Sequence, residues 1–153
     1  MIDWGIVARA VHVLAVVVWI GGVWLVTTVL LPGMRQHPPD RWIREFDSVE
    51  RGFAPQVRIA VLLVLLSGLY MTDVYDLWDR FAQVQFWWMH LMAGVWAVFA
   101  LLLFVIEPLV ARRVRGRADS GITLSRMLWM HRVLLLLALA AIFAAVGGAH
   151  GLF

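Results

Sequence analysis

The sequence predicts an all-α integral membrane protein that forms a single four-helix bundle. Of its 153 residues, 63% are hydrophobic and 15% are charged, which leaves too few polar side chains to cover a water-soluble fold. Because a helix rises about 1.5 Å per residue, a helix of roughly 17–25 apolar residues crosses the hydrocarbon core. Four stretches meet that length, at about residues 4–31, 55–71, 84–111 and 127–149.

The charged residues predict an up-down topology with both termini outside (N-out, C-out). All thirteen basic residues are arginine. The middle loop carries Asp73, Asp76 and Asp79 against Arg80 alone. The positive-inside rule puts the two basic loops in the cytoplasm, and we expect a multi-pass protein of a bacterial inner membrane with no nucleic-acid partner. The arginines near those two loops are Arg35, Arg41, Arg44, Arg51 and Arg58, and Arg112, Arg113, Arg115, Arg117, Arg126 and Arg132.

The first loop carries a pattern of its own. Pro38, Pro39 and Asp40 give a stop and an N-cap, and apolar residues then recur at helical spacing. Two oppositely charged pairs at i,i+4 spacing, Arg41–Glu45 and Asp47–Arg51, lie on the polar side. We predict an amphipathic helix at about residues 40–53 that lies on the membrane surface. Its apolar residues are Trp42, Ile43, Phe46, Val49 and Phe53.

Histidines inside the predicted spans are the main candidates for a functional site, since ionisable groups are costly at membrane depth. His12 and His90 each lie about 8 Å inside a helix end on the outer side. His150 lies near the outer surface, and His131 and His37 lie on the inner side. Imidazoles at one depth on two helices can supply both axial ligands of a haem iron. We therefore predict haem b between His12 and His90, with packing histidines as the plain alternative.

The surroundings of these histidines complete the predicted haem site. Arg9 precedes His12 by one turn on the same face and is the predicted partner of the haem propionates. Trp19 is a predicted aromatic wall, and small residues would give clearance for the macrocycle. His131 is a candidate ligand of a second haem, but its only partner would be His37, so one haem is the simpler prediction. The small residues are Gly21, Gly22, Ala93 and Gly94.

A copper site is the alternative use of the same region. Thioether and imidazole groups suit Cu(I), and Met89 and Met92 flank His90. His12 and His150 would complete the outer ligands. Met34, Met127 and Met130 lie near His131 on the inner side.

Elsewhere, Glu107 is predicted to form an ion pair with Arg58 or with Arg132.

Several of these residues resemble two related membrane families. The run from Arg9 to His12, followed by Val18-Trp19-Ile20-Gly21-Gly22, is similar to the first helix of copper-resistance D (CopD) proteins and of HemJ-type protoporphyrinogen oxidases. Glu50-Arg51, Ser67-Gly68-Leu69-Tyr70, Trp88-Met89-His90 and Ser125-Arg126-Met127-Leu128 resemble later segments. The HemJ likeness implies b-type haem at His12 and His90, and the CopD likeness implies copper handling. Met92 stands where the HemJ-type pattern has lysine, and Met130-His131 stands where it has Asn-Glu.

The expected function is electron transfer by a haem-binding membrane protein, between the quinone pool or a membrane partner and a periplasmic acceptor. Copper transport is the second expectation, and a membrane scaffold or assembly subunit is the third. A membrane oxidoreductase activity of HemJ type stays open, as does homodimerisation through the lipid-facing helices. The absence of cysteine excludes disulfides, iron–sulfur clusters and thiolate metal sites.

Overall fold

The computed structural model describes residues 2–109 and 120–152. These residues form helices joined by turns, and no β-strand is found among them. Within the described ranges, four helical segments are long and apolar enough to cross a membrane: Trp4–Met34, Arg44–Val74, Val84–Leu109 and Leu124–Ala149. The prediction of an all-α protein with four apolar helices is confirmed. Arg112, Arg113, Arg115 and Arg117 lie outside the described residues.

The first long helix, α1, is Trp4–Leu25. It begins after Asp3, whose side chain accepts a hydrogen bond from the backbone N–H of Gly5 at 2.9 Å, as an N-cap residue does. The helix continues through a π-helical turn, Val26–Leu30, and a short α-helical turn, Leu31–Met34.

The second helix, α2, is Pro39–Val74 and contains Pro55. It joins the predicted surface helix and the predicted second span in one continuous helix. Proline has no N–H to donate to the preceding turn; next to this gap, the side-chain Nε2 of Gln56 donates to the carbonyl of Gly52 at 3.1 Å. The predicted pair Arg41–Glu45 is confirmed, with 2.8 Å between Nε and Oε1. The side chains of Trp42 and Ile43 lie outside the described part.

The remaining helices are α3, Trp87–Leu101, and α4, Ser120–Ala149. Two 3₁₀ turns, Trp78–Ala82 and Val84–Phe86, connect α2 to α3. Helix α3 continues through a second π-helical turn, Leu102–Ile106.

Both π-helical turns are followed by a proline. The N–H of Leu31 bonds to the carbonyl of Val26, and the N–H of Glu107 bonds to that of Leu102. The next residues are Pro32 and Pro108. A proline ring clashes with the carbonyl four residues earlier and leaves it without a donor, so a widened turn just before the proline relieves this conflict.

The helices pack through a shared apolar core and through glycines that face large side chains. At the centre, the rings of Trp19 and Phe99 meet edge to face with centroids 4.9 Å apart. A Cβ atom added to Gly22 would overlap the ring of Phe53, and one added to Gly148 would overlap Trp88. Small residues at helix crossings allow such close approach, which supplies the van der Waals contact that holds membrane helices together.

Candidate functional site

The imidazole of His12 is held by α2. Its Nδ1 lies 2.9 Å from Oγ of Ser67, and this Oγ donates to the carbonyl of Leu63 at 2.5 Å. A hydroxyl has a single proton to donate, so Ser67 accepts the hydrogen bond from the Nδ1–H of His12. The Nε2 of the neutral ring then carries a free lone pair. Metal-ligating histidines are commonly held in this way, with one ring nitrogen donating and the other left for the ligand.

The backbone of Gly68 lies beside the same imidazole. A Cβ atom added there would lie 3.4 Å from Cε1 of His12, so the imidazole lies directly against this glycine. His12 itself is half-buried, and Ser67 is buried, with 7% exposure. A substrate has no access to a hydroxyl so covered, and Ser67 therefore acts as a positioning group for the ring.

Arg9 lies near this site, and its guanidinium contacts an aromatic ring. Its Cζ is 5.5 Å from the ring centroid of Tyr75, at the end of α2. This distance is typical of a cation–π contact. Because Arg9 is exposed, its charged group is accessible beside this ring.

Trp19 lies in the helix core and not at an open cleft. Its side chain is 4% exposed, its ring packs against Phe99, and its Nε1 has no hydrogen-bond partner among the described residues. The clearance predicted at Gly22 is filled by Phe53. Gly21 is exposed, with open space around it.

His90 lies in a different environment from His12. It is exposed, and its ring meets Phe81 edge to face, with centroids 5.5 Å apart and an interplanar angle of 78°. No hydrogen bond to the imidazole of His90 is found among the described residues. It lines a pocket of about 270 Å³ between α3 and α4, here called the His90 pocket. Its lining residues are His90, Leu91, Gly94, Val95, Val98 and Phe99 from α3, with Leu134 and Leu137 from α4.

These contacts give His12 and His90 different neighbours, and a haem shared between them stays a prediction. The imidazole of His12 faces Ser67 and Gly68 on α2, whereas the imidazole of His90 faces Phe81 and the pocket beside α4. Within the described ranges, no group of three or more His, Cys, Asp and Glu side chains is arranged to hold a metal ion. The free Nε2 of His12 has the donor chemistry of an iron or copper ligand.

The other histidines bond within their own region of the chain. In His131 and His150, Nδ1 donates to the carbonyl four residues earlier, at 2.9 Å and 2.8 Å. Each Nε2 is therefore the nitrogen with a free lone pair. His37, the partner predicted for His131, instead pairs with Glu45 at 2.9 Å.

An ion pair links α2 to the chain beyond α3. Nη2 of Arg58 lies 2.5 Å from Oε1 of Glu107. Of the two partners that the sequence left open for Glu107, the structure selects Arg58, and Arg132 is exposed. Arg58 also carries a buried Nε that has no hydrogen-bond partner in the described part of the chain.

The positioning role of Ser67 was missed from the sequence. In the sequence, Ser67 stood out only as part of the Ser67-Gly68-Leu69-Tyr70 resemblance. Its partner His12 lies 55 residues away in the chain. The available signal was a serine followed by a glycine inside an otherwise apolar span. Met89 and Met92, the predicted copper ligands, are half-buried on either side of His90.

Comparisons of the chain with protein-family models, with curated proteins and with solved structures find no match. The fold therefore defines the class: a small helical protein with four segments able to cross a membrane. Its candidate functional feature is the half-buried His12, which Ser67 on the neighbouring helix orients.

Proposed function

We propose that this protein binds b-type haem in the membrane through His12 and transfers electrons. The observation that carries the proposal is the hydrogen bond from His12 to Ser67, which leaves Nε2 free to bind a metal. Bound haem would supply one-electron chemistry. The chain would supply the ligand, its orientation and the apolar surroundings that set the potential.

The proposed topology is up-down, with both termini in the periplasm and the protein in a bacterial inner membrane. The arginine distribution supports this orientation through the positive-inside rule. Contacts between the start of α1 and the end of α2, at Gly5 and Tyr75, and between Gly22 and Phe53 support antiparallel neighbours.

Two arrangements satisfy the haem proposal. In the first, His90 supplies the second axial ligand, as its depth in the sequence predicts. In the second, His12 is the iron ligand from this chain, and His90 lines the His90 pocket without binding iron. Protoporphyrinogen oxidation is not included, since Met92 replaces the lysine of the HemJ-type pattern.

The test is a reduced-minus-oxidised absorption spectrum of the purified protein, with metal analysis on the same sample. We expect an α band with iron near one per chain in the wild type and loss of the band in His12→Ala. Ser67→Ala should weaken binding about 10- to 100-fold, as loss of a group that orients a ligand does. His150→Ala is the matched control, because His150 is exposed, and it should retain the band. Full haem retention in His12→Ala would contradict the assignment.

Copper handling is the second candidate, supported by the half-buried Met89 and Met92 beside His90. Copper in the metal analysis, without an absorption band, would favour it. Met89→Leu and Met92→Leu should then lower the bound copper, while His37→Ala leaves it unchanged, because His37 pairs with Glu45 and is not among the predicted copper ligands. A sample that contains neither iron nor copper would favour the third expectation, a membrane scaffold or assembly subunit.

A further inference from the structure

The His90 pocket is an apolar cavity with one polar group. The seven other lining residues are apolar or glycine, and the imidazole of His90 is its single titratable side chain. Gly94 forms part of the wall, and a Cβ atom added there would meet no atom within 4 Å. Val98 and Leu137 on its sides are exposed, at 44% and 42%. The cavity is therefore open, and within a membrane it would open toward lipid.

His90 needs a hydrogen-bonding partner in this place. It belongs to the candidate span Val84–Leu109, where an unpaired polar group is costly. Within the described residues, its ring has the edge contact with Phe81 and no hydrogen bond. A neutral imidazole offers one N–H donor and one nitrogen acceptor. A ligand that accepts a hydrogen bond in its oxidised state and donates one in its reduced state can therefore pair with the N–H donor or with the nitrogen acceptor of this imidazole.

We propose that the His90 pocket binds the head group of a lipid-soluble quinone. The carbonyl oxygen of the quinone would accept from the imidazole N–H, and the hydroxyl of the quinol would donate to the imidazole nitrogen. The apolar wall and the ring of Phe99 suit a six-membered ring and the start of its isoprenoid tail. The volume of about 270 Å³ lies just below the usual range for ligand pockets, about 300–1,000 Å³, which favours a single ring over a macrocycle.

The binding site is argued from the pocket alone, and its role in supplying electrons rests on the proposed haem function. The inference takes the second haem arrangement, in which His90 is not an iron ligand. The two proposals therefore fail separately: full haem retention in His12→Ala would refute the haem proposal, and unchanged quinone affinity in Gly94→Leu would refute the quinone site.

The experiment measures binding of decylubiquinone to the full chain in lipid nanodiscs, by extraction and quantification of the retained quinone. Gly94→Leu fills open space and should lower the affinity at least tenfold. His90→Leu removes one hydrogen bond and should lower it about fivefold, with any haem band unchanged. Gly52→Leu is the matched control, because a Cβ atom there also meets no atom within 4 Å and Gly52 is exposed on another helix, and it should keep wild-type affinity. Helical circular dichroism checks that each variant folds.

Several results would overturn the inference. The first is unchanged affinity in Gly94→Leu, and the second is an equal loss in Gly52→Leu. The third is equal competition by decylbenzene, which has no carbonyl group and would indicate an acyl-chain site. A change of oligomeric state in Gly94→Leu would assign the surface to a second copy of the chain, and loss of the haem band in His90→Leu would assign the imidazole to iron. If Gly94→Leu does not fold, Val98→Phe fills the pocket from its exposed side and is subject to the same criteria.

Discussion

The ion pair between Arg58 and Glu107 gives a quantitative prediction about stability. Removing one partner of a fully buried pair costs about 3–5 kcal/mol, and an exposed pair contributes about 0–1 kcal/mol. The side chains here are 35% and 25% exposed. We therefore expect Glu107→Gln to lower the free energy of unfolding by about 1–3 kcal/mol, between these two limits.

A double-mutant cycle measures this interaction directly. The variants are Arg58→Gln, Glu107→Gln and both together, unfolded reversibly in mixed micelles of increasing denaturing-detergent fraction. Because each single change leaves a charged group without its partner, the double variant should lose less than the sum of the single losses, with a coupling of about 1 kcal/mol. Arg132→Gln is the control and should have no effect, since Arg132 is exposed. Additive losses, or an equal loss in the control, would refute the reasoning.

Two further predictions concern the helix contacts. Gly148→Leu should lower the melting temperature, because its Cβ atom would overlap Trp88 and overpacking costs about 1–3 kcal/mol; an unchanged melting temperature would contradict the close contact of α3 with α4. Trp96→Phe removes the hydrogen bond from Nε1 to the carbonyl of Val61, 2.9 Å long, and should cost about 0.5–1.5 kcal/mol in the same unfolding assay. A variant as stable as the wild type would show that this bond contributes nothing.

The fold was predictable because membrane depth requires helices of a definite length. Backbone groups in lipid must bond within their own segment, so long apolar runs specify helices without knowledge of their partners. The boundary at Pro55 was less predictable. A proline indicates a break because its place in a helix interior costs about 3 kcal/mol or more, yet α2 passes through Pro55 as one helix of 36 residues.

The sequence predicts how deep the candidate site residues lie in the membrane, but it does not predict the direction in which their side chains point. The number of residues from a helix end gives the level of His12 and His90, but the direction of each side chain depends on how its helix is rotated in the bundle. That rotation follows from packing between distant residues, such as Gly22 against Phe53. For this reason the sequence identified His12 as a candidate and could not identify Ser67 as its partner. Charge alone limited the partner of Glu107 to two arginines, and packing decided between them.

The π-helical turn before Pro108 also determines which residues meet across the bundle. Its bond from Glu107 to Leu102 spans five residues where an α-helix spans four, so the turn acts as an insertion of one residue into the helical register. One residue corresponds to a rotation of about 100°. An ordinary α-helical turn of the same length would place Glu107 about 100° away from Arg58. Deleting a single residue between 102 and 106 would instead restore an ordinary helix in which Glu107 still bonds to Leu102 and still faces Arg58. The widened turn is thus as much a part of the ion pair as the two side chains that form it.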